Sequence, residues 1–102
     1  MLRNETSLTQ SDLINSLVFF GAPSWCLPCQ RLLPVIENIS EEFDNAQFIH
    51  INVDEADELV REYKISSVPT VKIFVNGEEK ESLYGLLPKT TYIDKLNLYF
   101  GD

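Results

Sequence analysis

Ala22-Pro23-Ser24-Trp25-Cys26-Leu27-Pro28-Cys29 holds both cysteines of a 102-residue chain, with two residues between them. Immediately before it, Leu17-Val18-Phe19-Phe20 is a short apolar run of strand type. Immediately after it, Leu32, Val35, Ile36, Ile39 and Phe43 recur at helical spacing. A Cys-x-x-Cys at a strand-to-helix junction inside a βαβ pattern reads as a dithiol redox site.

The spacing has a physical reason. The first turn of a helix carries unpaired backbone N–H groups and a partial positive charge. Both stabilise a thiolate, so Cys26 is expected to titrate below the free-thiol value of about 8.5. Cys29, one turn further in, is then placed to attack a mixed disulfide formed at Cys26. Pro28 fixes φ near −65° and removes a donor that the first turn does not use. Trp25 offers an apolar rim to a docking peptide. Two other readings of the cysteines carry less. Structural zinc needs four ligands, and the chain offers these two thiols and His50. A purely structural disulfide across so short a loop constrains the unfolded chain very little.

The length fits one domain, 1–102, with a core that needs no staples. A hydrophobic content of 44% fits a folded globule. A net charge of −8 argues against nucleic acid or an anionic membrane as partner. The acids are unevenly placed: Glu37, Glu41, Glu42 and Asp44 form one group and Asp54, Glu55, Asp57, Glu58 and Glu62 another, while Leu13 to Ile36 contains no acid and only Arg31 as a charge. Met1-Leu2-Arg3-Asn4-Glu5 runs into Thr6-Ser7 with no apolar stretch of the export type. No apolar run approaches the length of a membrane span. With both cysteines committed to one motif, the expected compartment is a reducing one, the cytoplasm.

Taken in order, residues 1–6 read as a short edge strand and Ser7 to Ser16 as a helix carrying Leu8, Leu13 and Ile14. Leu17 to Gly21 or Ala22 is a strand covered on both faces. A helix follows from Cys26 to Phe43, with Pro34 predicted to kink it. Gln47 to Val53 is a strand, Asp54 to Tyr63 a short acidic helix, and Val71 to Val75 a strand. Asn76-Gly77 turns a hairpin into a partner strand from Glu81 to Tyr84. A last helix opens at Pro88 or Lys89 and carries Tyr92, Ile93, Leu96, Tyr99 and Phe100. Alternating strands and helices with a final hairpin make an α/β protein with a mixed sheet and helices on both faces. The helix that opens at Cys26 then starts at the carboxyl end of a central strand, where such sheets place their sites.

Trp25-Cys26-Leu27-Pro28-Cys29, Pro34, Ile51-Asn52-Val53-Asp54, Ser67-Val68-Pro69-Thr70, Asn76-Gly77 and Gly85 together resemble the thioredoxin family, from about Leu17 to the C-terminus. The resemblance implies a thioredoxin fold, with a central mixed sheet of four or five strands flanked by four helices. It implies that Cys26 is the exposed attacking thiol, Cys29 the buried resolving one, and the Val68–Pro69 peptide cis and packed on the disulfide. It further implies that the backbone before Pro69 pairs with an extended substrate segment. Trp25, Pro28, Val68, Pro69 and Gly85 are the substrate-binding candidates. The activity implied is reduction of disulfides in other proteins by a monomer, with regeneration by a thioredoxin reductase drawing on NADPH. No bound cofactor and no metal is expected. Two other functions stay open: an oxidase or isomerase with a less reducing pair, and a non-catalytic partner-binding module of the same fold.

Four departures from the family pattern stand out. Thioredoxins usually carry a buried Asp on the strand before the motif; counting back from Cys26 that position is Phe20, or Phe19 if one residue is bulged. The Lys that accompanies that Asp is replaced by His50. Losing both is consistent, since either alone would be a buried unpaired charge. We take His50 or a water as the candidate proton acceptor for Cys29. Leu27 stands in place of the usual Gly, which alters the balance between dithiol and disulfide. The family's other Trp, just ahead of the motif, gives way to the small and polar Gly21-Ala22-Pro23-Ser24.

Overall fold

The computed structural model describes residues 1–101. In chain order the elements are β1 (Leu2–Glu5), a 3-10 turn (Ser11–Leu13), β2 (Asn15–Gly21), α1 (Leu27–Ser40) and β3 (Gln47–Asn52). There follow a second 3-10 turn (Val53–Glu55), α2 (Asp57–Glu62), β4 (Thr70–Val75), β5 (Glu78–Tyr84) and α3 (Lys89–Phe100). They form one five-stranded sheet ordered β1-β3-β2-β4-β5. β1, β3 and β2 run parallel, while β4 and β5 add antiparallel.

The all-apolar run of β2 explains its central place. Leu17 and Phe19 enter a core with Leu32, Ile36, Ile39, Tyr92 and Leu96 from α1 and α3. Val18 and Phe20 enter the opposite core with Ile49, Ile51, Leu59 and Phe74. All four β2 side chains are fully buried, and each contributes roughly 1.5–3 kcal/mol by leaving water. The strand is therefore covered on both faces, as its composition predicts. α1 begins where β2 ends, so its N-terminus lies at the carboxyl edge of the sheet.

The expected helix over Ser7 to Ser16 is not formed. In its place is the single 3-10 turn Ser11–Leu13, so three α-helices among the described residues flank the sheet rather than four. Polar side chains capture the local backbone there: Asp12 accepts from the Thr9 N–H at 2.8 Å, and its other oxygen is 2.5 Å from the Arg3 guanidinium of β1. Such side-chain bonds offer the backbone an alternative to a helix. β2 consequently starts at Asn15 instead of Leu17. α1 runs through Pro34 but stops at Ser40, short of Phe43, where Ser40 Oγ donates back to the Glu37 carbonyl at 2.6 Å. The acidic segment after β3 divides into a 3-10 turn and a six-residue helix. In the hairpin, Asn76 (φ 55°) and Gly77 (φ 84°) make a tight turn, so β5 begins at Glu78 rather than Glu81.

Candidate active site

The loop from β2 to α1 is folded by its own backbone. The N–H groups of Trp25 and Cys26 both donate to the Ala22 carbonyl, at 3.2 and 2.9 Å, and the Gln30 side-chain amide donates to the Pro23 carbonyl at 2.7 Å. Cys26 is the N-cap of α1, with extended dihedrals, and Leu27-Pro28 open the helix. Its sulfur accepts the backbone N–H of Cys29 at 3.1 Å. Cys26 and Cys29 are joined as a disulfide. Both are buried, Cys26 at 6% and Cys29 at 2% exposure, so the outer position of Cys26 is a matter of degree.

A second loop closes over the pair. The Val68–Pro69 peptide is cis, and the Val68 carbonyl oxygen lies 3.9 Å from Cys26 Sγ. The carbonyl of Pro69 accepts from the Gly85 N–H at 2.9 Å. Gly85 has φ +80°, a conformation that side chains with a Cβ adopt at a cost. Tyr92 holds this corner from below: its hydroxyl donates to the Gly85 carbonyl and accepts from the Leu87 N–H, both at 3.2 Å. Burial pushes the Tyr92 phenol above its ordinary value.

Around the disulfide the surface is apolar. Trp25 is 62% exposed and Leu27 55%, with Tyr84 and Leu86 also outward beside Gly85. The Trp25 indole N–H donates to the Asp54 carboxylate at 2.8 Å, which fixes the ring, and Asn52 caps the Asp54 backbone in turn. A depression of about 380 Å³ opens beside the ring, lined by Trp25, Val53, Val60, Ile65, Ser67 and Val68. Pro28 is on the surface at the helix start. Of the sequence candidates, Trp25, Cys26, Val68, Pro69 and Gly85 belong to the loops that meet at the disulfide, and Pro28 and Cys29 to the first turn of α1. Asp54, Tyr92 and Val60 of α2 are given no site role by the sequence, because each reaches the site from a distant part of the chain.

The place beneath the dithiol belongs to Phe19, not Phe20. Phe19 shares its core with Cys26 and Cys29, whereas Phe20 points to the opposite face. Its neighbour on β3 is His50, with ring centroids 4.9 Å apart. His50 is buried at 5% exposure, and its Nδ1 bonds to the Asn4 side-chain oxygen at 2.8 Å. Burial holds the imidazole below its ordinary pKa. Its described hydrogen bond goes to Asn4 and none to either sulfur, so no hydrogen bond links His50 to Cys29. Gly21 leaves room for this cluster: a Cβ there would meet Phe19 Cε1 at 2.9 Å and His50 Nε2 at 3.3 Å.

Among the described residues there is no group of three or more His, Cys, Asp or Glu suited to a metal ion. Nor is any helix there long and apolar enough to cross a membrane. Two sulfurs bonded to each other at a helix N-cap, against a proline loop and an apolar rim, have the chemistry of a dithiol–disulfide exchanger.

Comparison with known proteins agrees. A family model described as Thioredoxin matches residues 5–97. The thioredoxin of Mycoplasma genitalium is 41% identical over 83 residues, covering 81% of this chain and 80% of that protein. The thioredoxin of Rickettsia prowazekii is 36% identical over 94 residues, covering 91% and 88%. The solved structure of a mutant thioredoxin from Halobacterium salinarum superposes with a TM-score of 0.88 at 34% identity, over 97% of this chain and 90% of that one. The chain belongs to the thioredoxin family and is a thiol–disulfide oxidoreductase.

Proposed function

We propose that this chain, as one domain and one monomer, reduces disulfides in other proteins, with Cys26 as nucleophile and Cys29 as resolving thiol. The single observation that carries the assignment is the Cys29 N–H donated to Cys26 Sγ at the head of α1. An N–H bonded to a sulfur becomes a charge-assisted donor when that sulfur is a thiolate, and the helix end adds to the effect. Cys29 is the less exposed of the two, at 2% against 6%, and is bonded to Cys26, which favours the resolving role for it.

The cycle balances as a transfer of two electrons and two protons. Cys26 gives its proton to water, its thiolate attacks one sulfur of the substrate disulfide, the substrate S–S bond breaks, and one substrate thiolate leaves and takes up a proton. Cys29 then loses its proton to water and attacks Cys26 Sγ. The mixed disulfide breaks, and the second substrate thiolate departs and takes up a proton. The chain is left oxidised and the substrate reduced. The substrate's extended segment is held by the backbone at Val68, with Trp25, Pro28, Pro69 and Gly85 bordering the groove, a form of strand addition. Regeneration calls for an external dithiol donor. The family points to a thioredoxin reductase, with NADPH bound by that partner rather than by this chain. Both cysteines being spent on the motif supports work in a reducing compartment, which we take to be the cytoplasm.

The assignment of roles is tested by alkylating the reduced protein near neutral pH and mapping the modified sulfur with time. Cys26 is expected to react at least about tenfold faster than Cys29. Equal rates would refute the roles. A Cys29→Ser variant is expected to accumulate substrate linked to Cys26.

A further inference from the structure

The sides of the site differ in charge. The apolar groove beside Trp25 is lined by Val53 and Val60, which bracket the segment Asp54 to Glu58 in the chain. A depression of about 360 Å³ there is lined by Asp54, Glu55, Asp57 and Glu58 together with Thr6 and Ala56. Next to it, a third depression joins Glu5 and Glu55 to Pro23 of the active-site loop. Five carboxylates therefore border the Trp25 side of the dithiol, and among the described residues no Lys or Arg lines any of the three depressions.

Of these five acids only Glu5 is neutralised from within, by Arg3. Among the described residues the ion pairs join Arg3, Lys72, Lys80 and Lys95 to Glu5, Asp12, Glu78, Glu79 and Glu81. Asp54, Glu55, Asp57 and Glu58 have no cationic partner there, and all four are exposed. Asp54 spends one oxygen on the Trp25 indole, which ties the charged border to the apolar one. Like charges so placed repel each other and leave a field facing outward beside the sulfurs.

We propose that this border selects the substrate: the preferred partner is a disulfide-bearing protein segment with an apolar residue beside its cysteine and Lys or Arg flanking it on the Trp25 side. The inference rests on the disulfide reduction proposed above and adds the partner's charge class. Basic flanking residues are drawn in by the unpaired carboxylates, while the apolar neighbour fills the groove lined by Trp25, Val53, Val60 and Val68. Acidic segments are repelled. Charges at such a rim act on association rate and on salt dependence more than on the bound state.

The test uses the full chain, reduced, with three disulfides. Two are synthetic peptide disulfides identical except for two Lys or two Glu flanking the cysteine; the third is the small neutral compound hydroxyethyl disulfide. The lysine peptide is expected to react about tenfold faster than the glutamate peptide at low salt. The gap should narrow as the screening length falls from about 10 Å at 0.1 M to about 3 Å at 1 M salt. A triple variant, Glu55→Gln, Asp57→Asn and Glu58→Gln, should bring the ratio close to one. A control triple, Glu41→Gln, Glu42→Gln and Asp44→Asn, removes the same charge past the far end of α1, about 20 Å from Cys26 at about 1.5 Å per helical residue. It should keep most of the preference. Equal rates for the two peptides overturn the inference, as does a preference lost equally in both triples, which would make it a matter of net charge. In either case reaction with hydroxyethyl disulfide shows that the reductase reading stands. Failure with that compound overturns the reading and this inference together.

Discussion

Phe19→Ala offers the sharpest check on how the site is supported. Phe19 is fully buried in the core that contains both cysteines, with the His50 ring 4.9 Å away and the Gly21 backbone pressed against its edge. Removing the ring forfeits roughly 1.5–3 kcal/mol of transfer free energy. A cavity term adds to this, because β2 is held by paired strands on both sides and cannot collapse inward. The total expected is about 3–5 kcal/mol. For a domain of this size each kcal/mol moves the melting temperature by about 4–8 °C, so the variant should melt roughly 12–40 °C lower. Phe19→Leu keeps most of the volume and should cost far less. Thermal unfolding followed by circular dichroism, on protein oxidised beforehand, measures both. A Phe19→Ala loss below about 1.5 kcal/mol would show that the position tolerates a void, and that Phe19 does not support the dithiol as described.

The buried imidazole makes a prediction about pH. Because burial holds His50 below its unfolded pKa, the unfolded chain binds more protons, and stability must fall as pH drops through the unfolded value of about 6.5 towards the lower folded one. His50→Gln should flatten that part of the stability curve, measured by denaturant unfolding across that range from neutral pH downwards; an unaltered slope would assign the effect elsewhere. Gly85→Ala isolates conformation from crowding, since nothing lies within 4 Å of the new Cβ while φ is +80°. It should cost about 1–2 kcal/mol, with Gly85→Asn costing less, and a neutral Ala variant would mean that the loop relaxes freely.

What the sequence discloses and what it hides follow from how local each signal is. Leu17 to Phe20 and the period of Leu32, Ile36 and Ile39 are self-contained patterns, and β2 and α1 appear where they predict. Asn76-Gly77 carries its own turn geometry. Ser7 to Ser16 misleads because Leu8, Leu13 and Ile14 mimic a helical rhythm, while the decisive contact, Arg3 with Asp12, comes from a neighbouring strand. The choice between Phe19 and Phe20 depends on whether the loop through Pro23 and Ser24 absorbs one residue more than usual. Only the alternation of faces along β2 settles it. Trp25 and Asp54 lie 29 positions apart, and nothing short-range marks the carboxylate as the indole's anchor. An ordinary histidine titrates near the right pH, yet burial holds His50 below that value and its partner is Asn4 on the edge strand.

The hydroxyl of Tyr92 ties the final helix to the corner at Gly85. Tyr92 occupies the opening turn of α3, so any fraying that lifts this turn also frees the backbone stretch lying opposite Val68 and Pro69. The loops around the disulfide therefore inherit the durability of α3. Solvent exchange at the Gly85 and Leu87 amides would keep pace with the loosening of that helix.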